Sequence, residues 1–136
     1  MIFVDTGAWI ALFNQRDQFH HDAVVVFNDL QQQRMRFLTT DYVIDETVTR
    51  LRYDTNHTLT VDFLNRIEFL EETEILTIAK IDKNVFEAAK GLFCQYDSVQ
   101  LSFTDCTSFE ICRVNNIREA FAFDQHFPIM GINLRQ

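Results

Sequence analysis

Glycine and proline are scarce in this chain, at 3 and 1 of 136 residues. That scarcity excludes collagen-like repeats, low-complexity disorder and turn-rich all-β architectures. Cysteine is also sparse and odd in number. Cys94, Cys106 and Cys112 cannot all pair within one chain, and none forms a Cys-x-x-Cys clip. Neither a disulfide framework nor a structural zinc site is indicated, and the expectation is three buried free thiols in a reducing cytoplasm. Long apolar runs are missing too. No basic segment leads into an apolar stretch at Met1-Ile2-Phe3-Val4-Asp5, and nothing approaches the ~18 residues of a membrane helix. The expectation is a cytoplasmic protein with no membrane segment. Positive charge is short: 12 Lys and Arg face 20 Asp and Glu, for a net charge of −8. Taken alone, this balance counts against a nucleic-acid partner, because phosphate binding rests on Lys and Arg. Gly-x-x-x-x-Gly-Lys, Gly-x-Gly-x-x-Gly and Gly-x-Ser-x-Gly are all absent, which argues against a nucleotide cofactor and against a serine hydrolase.

Apolar material is plentiful: 47% of the residues are hydrophobic and 14 are Phe. A chain of this length makes one domain, 1–136, with room for its own core. Ile2-Phe3-Val4, Phe37-Leu38, Ile75-Leu76-Thr77-Ile78 and Ala120-Phe121-Ala122-Phe123 are short apolar runs. Strands apolar on both faces suit a parallel sheet covered on each side. Between them lie helical spacings: Phe19, Ala23, Phe27 and Leu30; Leu59, Phe63, Ile67 and Leu70; Val85, Ala89 and Leu92. Two further helices are expected over about 41–53 and 102–114, the second capped by Ser102 with Asp105 three residues on. A last strand is placed near 131–134. The fold class is therefore α/β, a parallel central sheet flanked by helices on both sides.

The carboxylates follow this pattern. Asp5 comes straight after the first strand and Asp124 straight after the Ala120–Phe123 run. Both then sit at the carboxyl edge of a parallel sheet, where open α/β folds place their ligands. Glu46, one to two turns into a helix leaving that edge, can lean back toward it. Asp105 occupies the first turn of another helix. Each has a plainer explanation. Asp5 and Asp124 could serve as cap and turn residues, Glu46 as the partner of Arg50 at i+4, and Asp105 as a first-turn acid favoured by the helix dipole. Their joint placement points instead to a site for Mg²⁺ or Mn²⁺, hard cations that relieve repulsion between clustered carboxylates and promote phosphodiester hydrolysis.

Val4-Asp5-Thr6-Gly7, then Thr39-Thr40-Asp41-Tyr42-Val43-Ile44-Asp45-Glu46-Thr47, Leu101-Ser102-Phe103-Thr104-Asp105-Cys106 and Ala122-Phe123-Asp124-Gln125-His126-Phe127 resemble, in order, the four acidic motifs of PIN domains. The length resembles that of VapC-type toxins. The resemblance implies a single PIN-like domain whose Asp5, Glu46, Asp105 and Asp124 bind Mg²⁺ or Mn²⁺ and cleave RNA. It further implies a small antitoxin as partner and a homodimer. Gly7 stands where relatives often carry Ser or Asn, and Ala122 where Thr or Ser is frequent.

Thr6 and Thr104 are candidate supporting hydroxyls, and Arg50 a candidate phosphate contact, with Arg16, Arg34, Arg36 and Arg52 as possible rim charges. Asp41, Asp45 and Asp97 rank below the four acids. His20, His21, His57 and His126 have no partners at metal-ligand spacing and read as surface or rim residues, His126 the least firmly so because it follows Asp124. Two other functions compete: a PIN-like scaffold that binds RNA or protein without cutting, and a phosphatase or receiver-like domain. The last would want a lysine at the site, and the chain has only Lys80, Lys83 and Lys90.

Overall fold

The computed structural model describes residues 1–136. Its elements run β1 (Ile2–Val4), α1 (Thr6–Phe13), α2 (His20–Gln32), β2 (Phe37–Thr40), α3 (Asp41–Asp54), α4 (His57–Glu72), β3 (Leu76–Ala79), α5 (Lys83–Gln95), α6 (Phe103–Val114), β4 (Glu119–Phe121), a 3₁₀ turn (Phe127–Met130) and β5 (Asn133–Arg135). Five strands form one sheet in the order β3-β2-β1-β4-β5, and every pairing is parallel. This is the α/β class that the alternation of apolar runs and helical spacings implies.

The strand order matters for the site. From β1 the chain builds outward through β2 and β3, then returns to lay β4 against the other side of β1. The order reverses between β1 and β4, and a parallel sheet opens a crevice at its carboxyl edge at such a switch point. Ile2, Phe3 and Val4 are all fully buried, as expected of a central strand covered on both faces.

Strand ends shift by a residue or two from their sequence positions, because register is set by pairing partners and not by apolarity. β4 ends at Phe121, so Ala122 and Phe123 form a short loop before Asp124. The last strand is Asn133–Arg135 and not 131–134, because Gly131 takes a left-handed conformation (φ 74°) that closes the 3₁₀ turn. Of the three thiols only Cys106 and Cys112 are buried. Cys94 is exposed, on the outer face near the end of α5.

Helix starts follow side-chain caps. Thr40 Oγ1 accepts from the Val43 amide (3.0 Å), Asn56 Oδ1 from Leu59 (2.9 Å) and Asp82 Oδ1 from Val85 (2.9 Å). Each satisfies an amide that the first turn leaves free. α6 begins with a full capping box: the Asp105 amide donates to Ser102 Oγ (2.9 Å), and the Ser102 amide donates to Asp105 Oδ2 (3.0 Å).

The end of β1 is tied down from below. Trp9 Nε1 donates to Thr39 Oγ1 (3.3 Å), which donates in turn to the Val4 carbonyl (2.9 Å). This buried chain links α1, β2 and β1 immediately before Asp5. On the other side, the Asp5 amide donates to the Phe121 carbonyl (3.1 Å), fixing the start of α1 against β4.

Candidate functional site

Asp5 is buried, with 5% of its surface exposed, and stands at the switch point. It precedes α1 in the cap position but makes no side-chain capping bond. The carboxylate is therefore not spent on starting the helix. Burial first, then the charges of Asp105, Asp124 and Glu46, push its pKa from 3.8 up to about 7, against the backbone N–H of Thr6, which favours the charged form. Asp105 is raised by the same causes: burial first, then Asp124 and Glu46, with the Ser102 amide and hydroxyl holding it down. All four acids predicted from sequence thus share one electrostatic neighbourhood.

Their supports differ. Asp105 is held in the capping box, so its first-turn role and its place in the cluster coexist. Asp124 Oδ1 accepts the backbone N–H of His126 (2.8 Å), a turn that fixes the carboxylate against the chain that follows it. Glu46 lies farther out. Its Oε1 stands 3.9 Å from Arg50 Nη1, with both side chains substantially exposed, an ion pair of little stabilising value. Glu46, Arg50, Asp45 and Thr104 line one small recess of about 310 Å³ with Tyr42 and Thr49. Arg50 and Thr104 thus stand beside Glu46.

Thr6 is buried, and its hydroxyl finds no hydrogen-bond partner in the protein. The same holds for Ser108 Oγ, one turn along α6 from Asp105. A buried hydroxyl without a partner costs about 1–3 kcal/mol, so unpaired groups are sparse in folded proteins and mark places where a ligand or solvent completes the structure.

His126 is the residue that the sequence undervalued. It is no bystander on the rim. Its Nδ1 lies 3.0 Å from Asp124 Oδ1 and 3.9 Å from Asp105 Oδ2. Ligand atoms of Asp105, Asp124 and His126 all lie within 4.8 Å of one another. The signal available in the sequence was its spacing, two residues after an acid in a turn. Ser108 was legible only as the position one helical turn beyond Asp105.

Other candidates fall away from the site. Asp41 Oδ1 accepts the amides of Ile81 (3.0 Å) and Tyr42 (3.0 Å), which commits it to joining α3 to the segment after β3. Asp97 is exposed in the loop between α5 and α6. Arg34 and Arg36 precede β2 and so lie at the amino edge, opposite the acids; they line recesses with Glu74 there and supply no rim charge. Glu110, a buried acid not singled out from sequence, is bonded by both ends of the Arg113 guanidinium (3.0 and 2.6 Å). Burial, with some help from Asp5, raises the Cys112 thiol to about 12, which disfavours its thiolate. A larger recess, about 690 Å³, is elsewhere: Trp9, Leu12, Phe13, Phe27, Phe69 and Ile75 are among its lining residues. No helix is long and apolar enough to cross a membrane.

The PIN-domain profile matches residues 2–132. The 23S rRNA-specific endonuclease VapC20 of Mycobacterium tuberculosis, in two strains, is 30% identical over 131 residues, covering 96% of this chain and 95% of that protein. The crystal structure of M. tuberculosis VapC20, described as a sarcin–ricin loop cleaving toxin, matches with a TM-score of 0.84 and 28% identity over 97% of this chain and 96% of that one. With four acids gathered near the switch point and a match along nearly its whole length, this chain belongs to the PIN-domain family and within it is of the VapC type.

Proposed function

We propose that this protein is the endoribonuclease toxin of a toxin–antitoxin pair, and that Asp5, Glu46, Asp105 and Asp124 hold Mg²⁺ or Mn²⁺ at the switch-point crevice. The observation that carries this reading is Asp5: a buried, uncapped carboxyl among three other acids, raised to about 7 by its burial first and then by those neighbours. A divalent cation fits what is there. The donors are hard carboxylate oxygens, the anionic crowding needs neutralising, and the unpartnered Thr6 hydroxyl is next to Asp5. When bound, such an ion supplies charge that polarises a phosphodiester and lowers the pKa of water.

The chain's own residues do the rest. Asp105 and Asp124 are fixed by the capping box and the Asp124–His126 turn, so little order has to be gained on binding. Arg50, which shares a recess with Glu46, is the cation proposed to meet a backbone phosphate, partly offsetting the acidic balance of the chain. Weak affinity for RNA follows from a net charge of −8. Ribosomal RNA, the substrate class named for VapC20, is the first to try.

For the partner, the same crevice accepts a guanidinium, which can bond two carboxylate oxygens at once. An antitoxin tail that places an Arg there excludes metal and substrate together. We also expect two copies of the chain to associate, which sedimentation of the purified protein checks.

Cleavage of a stem-loop RNA carrying the sarcin–ricin sequence tests the activity. Wild type is expected to cut at one position with Mg²⁺ or Mn²⁺, and neither the chelator-treated protein nor Asp105→Asn should cut. A wild type that binds this RNA and cuts no RNA in either ion would make the chain a scaffold. Full-rate cutting in chelator or by Asp105→Asn would show that the acids are not the site.

A further inference from the structure

Three atoms around Asp124 are arranged in a way that simple hydrogen bonding does not explain. His126 Nδ1 is 3.0 Å from Asp124 Oδ1. At that distance a ring N–H would normally donate to the carboxylate, yet the alignment of a hydrogen bond is missing and Nδ1 is buried without any partner. Asp124 Oδ1 already accepts the backbone N–H of the same histidine at 2.8 Å. The ring nitrogen and the carboxylate oxygen lie side by side, and Asp105 Oδ2 lies 3.9 Å from the nitrogen.

Ligand atoms of Asp105, Asp124 and His126 all lie within 4.8 Å of one another, near enough to share one ion. The ring is also held in place. The Asp124 turn fixes its backbone on one side. On the other, Phe127 is fully buried against Phe3 and Phe109, with ring centroids 6.0 and 5.1 Å away. Only 30% of the His126 side chain is exposed, and Nδ1 is on the covered part.

Resting on the nuclease reading above, we propose that His126 contributes Nδ1 to the cation site, so that a nitrogen joins the carboxylate oxygens and the site prefers Mn²⁺ to Mg²⁺. Mg²⁺ takes oxygen ligands and seldom accepts imidazole, whereas the first-row transition ions accept it readily. The carboxylates then provide charge and the imidazole provides selectivity.

Pulsed electron paramagnetic resonance of Mn²⁺ bound to the wild-type protein reads the nitrogen without any variant: ¹⁴N coupling to the ion is expected. Calorimetric titration then compares the ions. In His126→Ala, Mn²⁺ affinity should fall about tenfold or more, the scale on which metal-site partners act, while Mg²⁺ affinity changes by less than about threefold. His126→Gln, which keeps a polar side chain but no imidazole nitrogen, should lose the same coupling. Mn²⁺ bound to wild type with no ¹⁴N coupling overturns the assignment and leaves the nuclease reading standing. So does an equal loss of both ions in His126→Ala, which would make the histidine a charge partner or positioning group of Asp124. If neither ion binds wild type, both readings fall.

Discussion

Two buried polar groups of residues meet at the end of β1, and they are built on opposite principles. Below Asp5, the Trp9 indole donates to Thr39 and Thr39 to the Val4 carbonyl, so each donor has its acceptor. Above it, the Thr6 and Ser108 hydroxyls and His126 Nδ1 are buried without partners, and Asp5 has its pKa raised to about 7. The first arrangement stabilises the fold, because a satisfied buried network is rigid. The second costs stability, and natural folds keep such cost mainly where something binds. A few residues of one strand separate the part that holds the molecule together from the part that is held ready.

The sharpest way to break this contrast is to remove an acid. Asp5→Asn is expected to lower RNA cleavage by at least about a hundredfold, the scale of losing a group that stabilises charge in a transition state. The same change should leave the metal-free protein more stable at neutral pH. A carboxyl whose folded pKa lies above its unfolded one makes the native state hold more protons between pH 3.8 and about 7. Stability of the metal-free wild type must therefore fall as pH rises through that window and level off above it. Thermal melts in chelator from pH 4 to 8 check the sign: Asp5→Asn should lack this part of the decline, and parallel curves would refute the assignment of the burial to Asp5.

Divalent metal should reverse the cost. At a hundred times its Kd an ion that binds only the native state adds about 2.7 kcal/mol. The gain should be larger at pH 8 than at pH 5, since protonated carboxylates ligate poorly. Melting temperatures with and without Mn²⁺ read it directly, and a gain independent of pH would point to binding away from the acids.

The satisfied network should respond in the opposite way. Thr39→Val leaves the Trp9 N–H and the Val4 carbonyl without their link and should cost about 1–3 kcal/mol in denaturant titrations. It should not alter the pH dependence set by Asp5. The smallest expected effect is at Gly7, where an added Cβ meets nothing within 4 Å. Gly7→Ser should raise stability by about 0.5 kcal/mol, from helix propensity alone.

Most of the fold was legible because the strands are short, apolar runs between helices of regular period. Asp5 and Asp124 could be placed together from topology alone, since parallel strands deliver the residues after them to one edge; Glu46 and Asp105 needed the lean of helical side chains and a helix that starts at that edge. What escaped was side-chain detail. His126 looked like a rim residue because the turn at Asp124 that swings it inward depends on a side-chain to backbone bond, and on Phe127 being buried. Arg34 and Arg36 looked available because charge in a sequence carries no direction; only their place before β2 puts them at the far edge. Cys94 looked like a core thiol because α5 is amphipathic, and a one-residue change of phase decides which face it takes.

The strand order has a consequence for the order of events during synthesis. β1 is the middle of the sheet, yet one of its two partners, β4, is encoded more than a hundred residues later. Asp5 leaves the ribosome early and waits unpaired until Asp124 and the 3₁₀ turn behind it have followed. Helices and the β1–β2–β3 half can form before that, but the nuclease crevice cannot. A product that stops before β4 lacks Asp124, His126 and the strand that pairs with β1 on that side. The full acidic site is therefore among the last parts of the molecule that its own synthesis can complete.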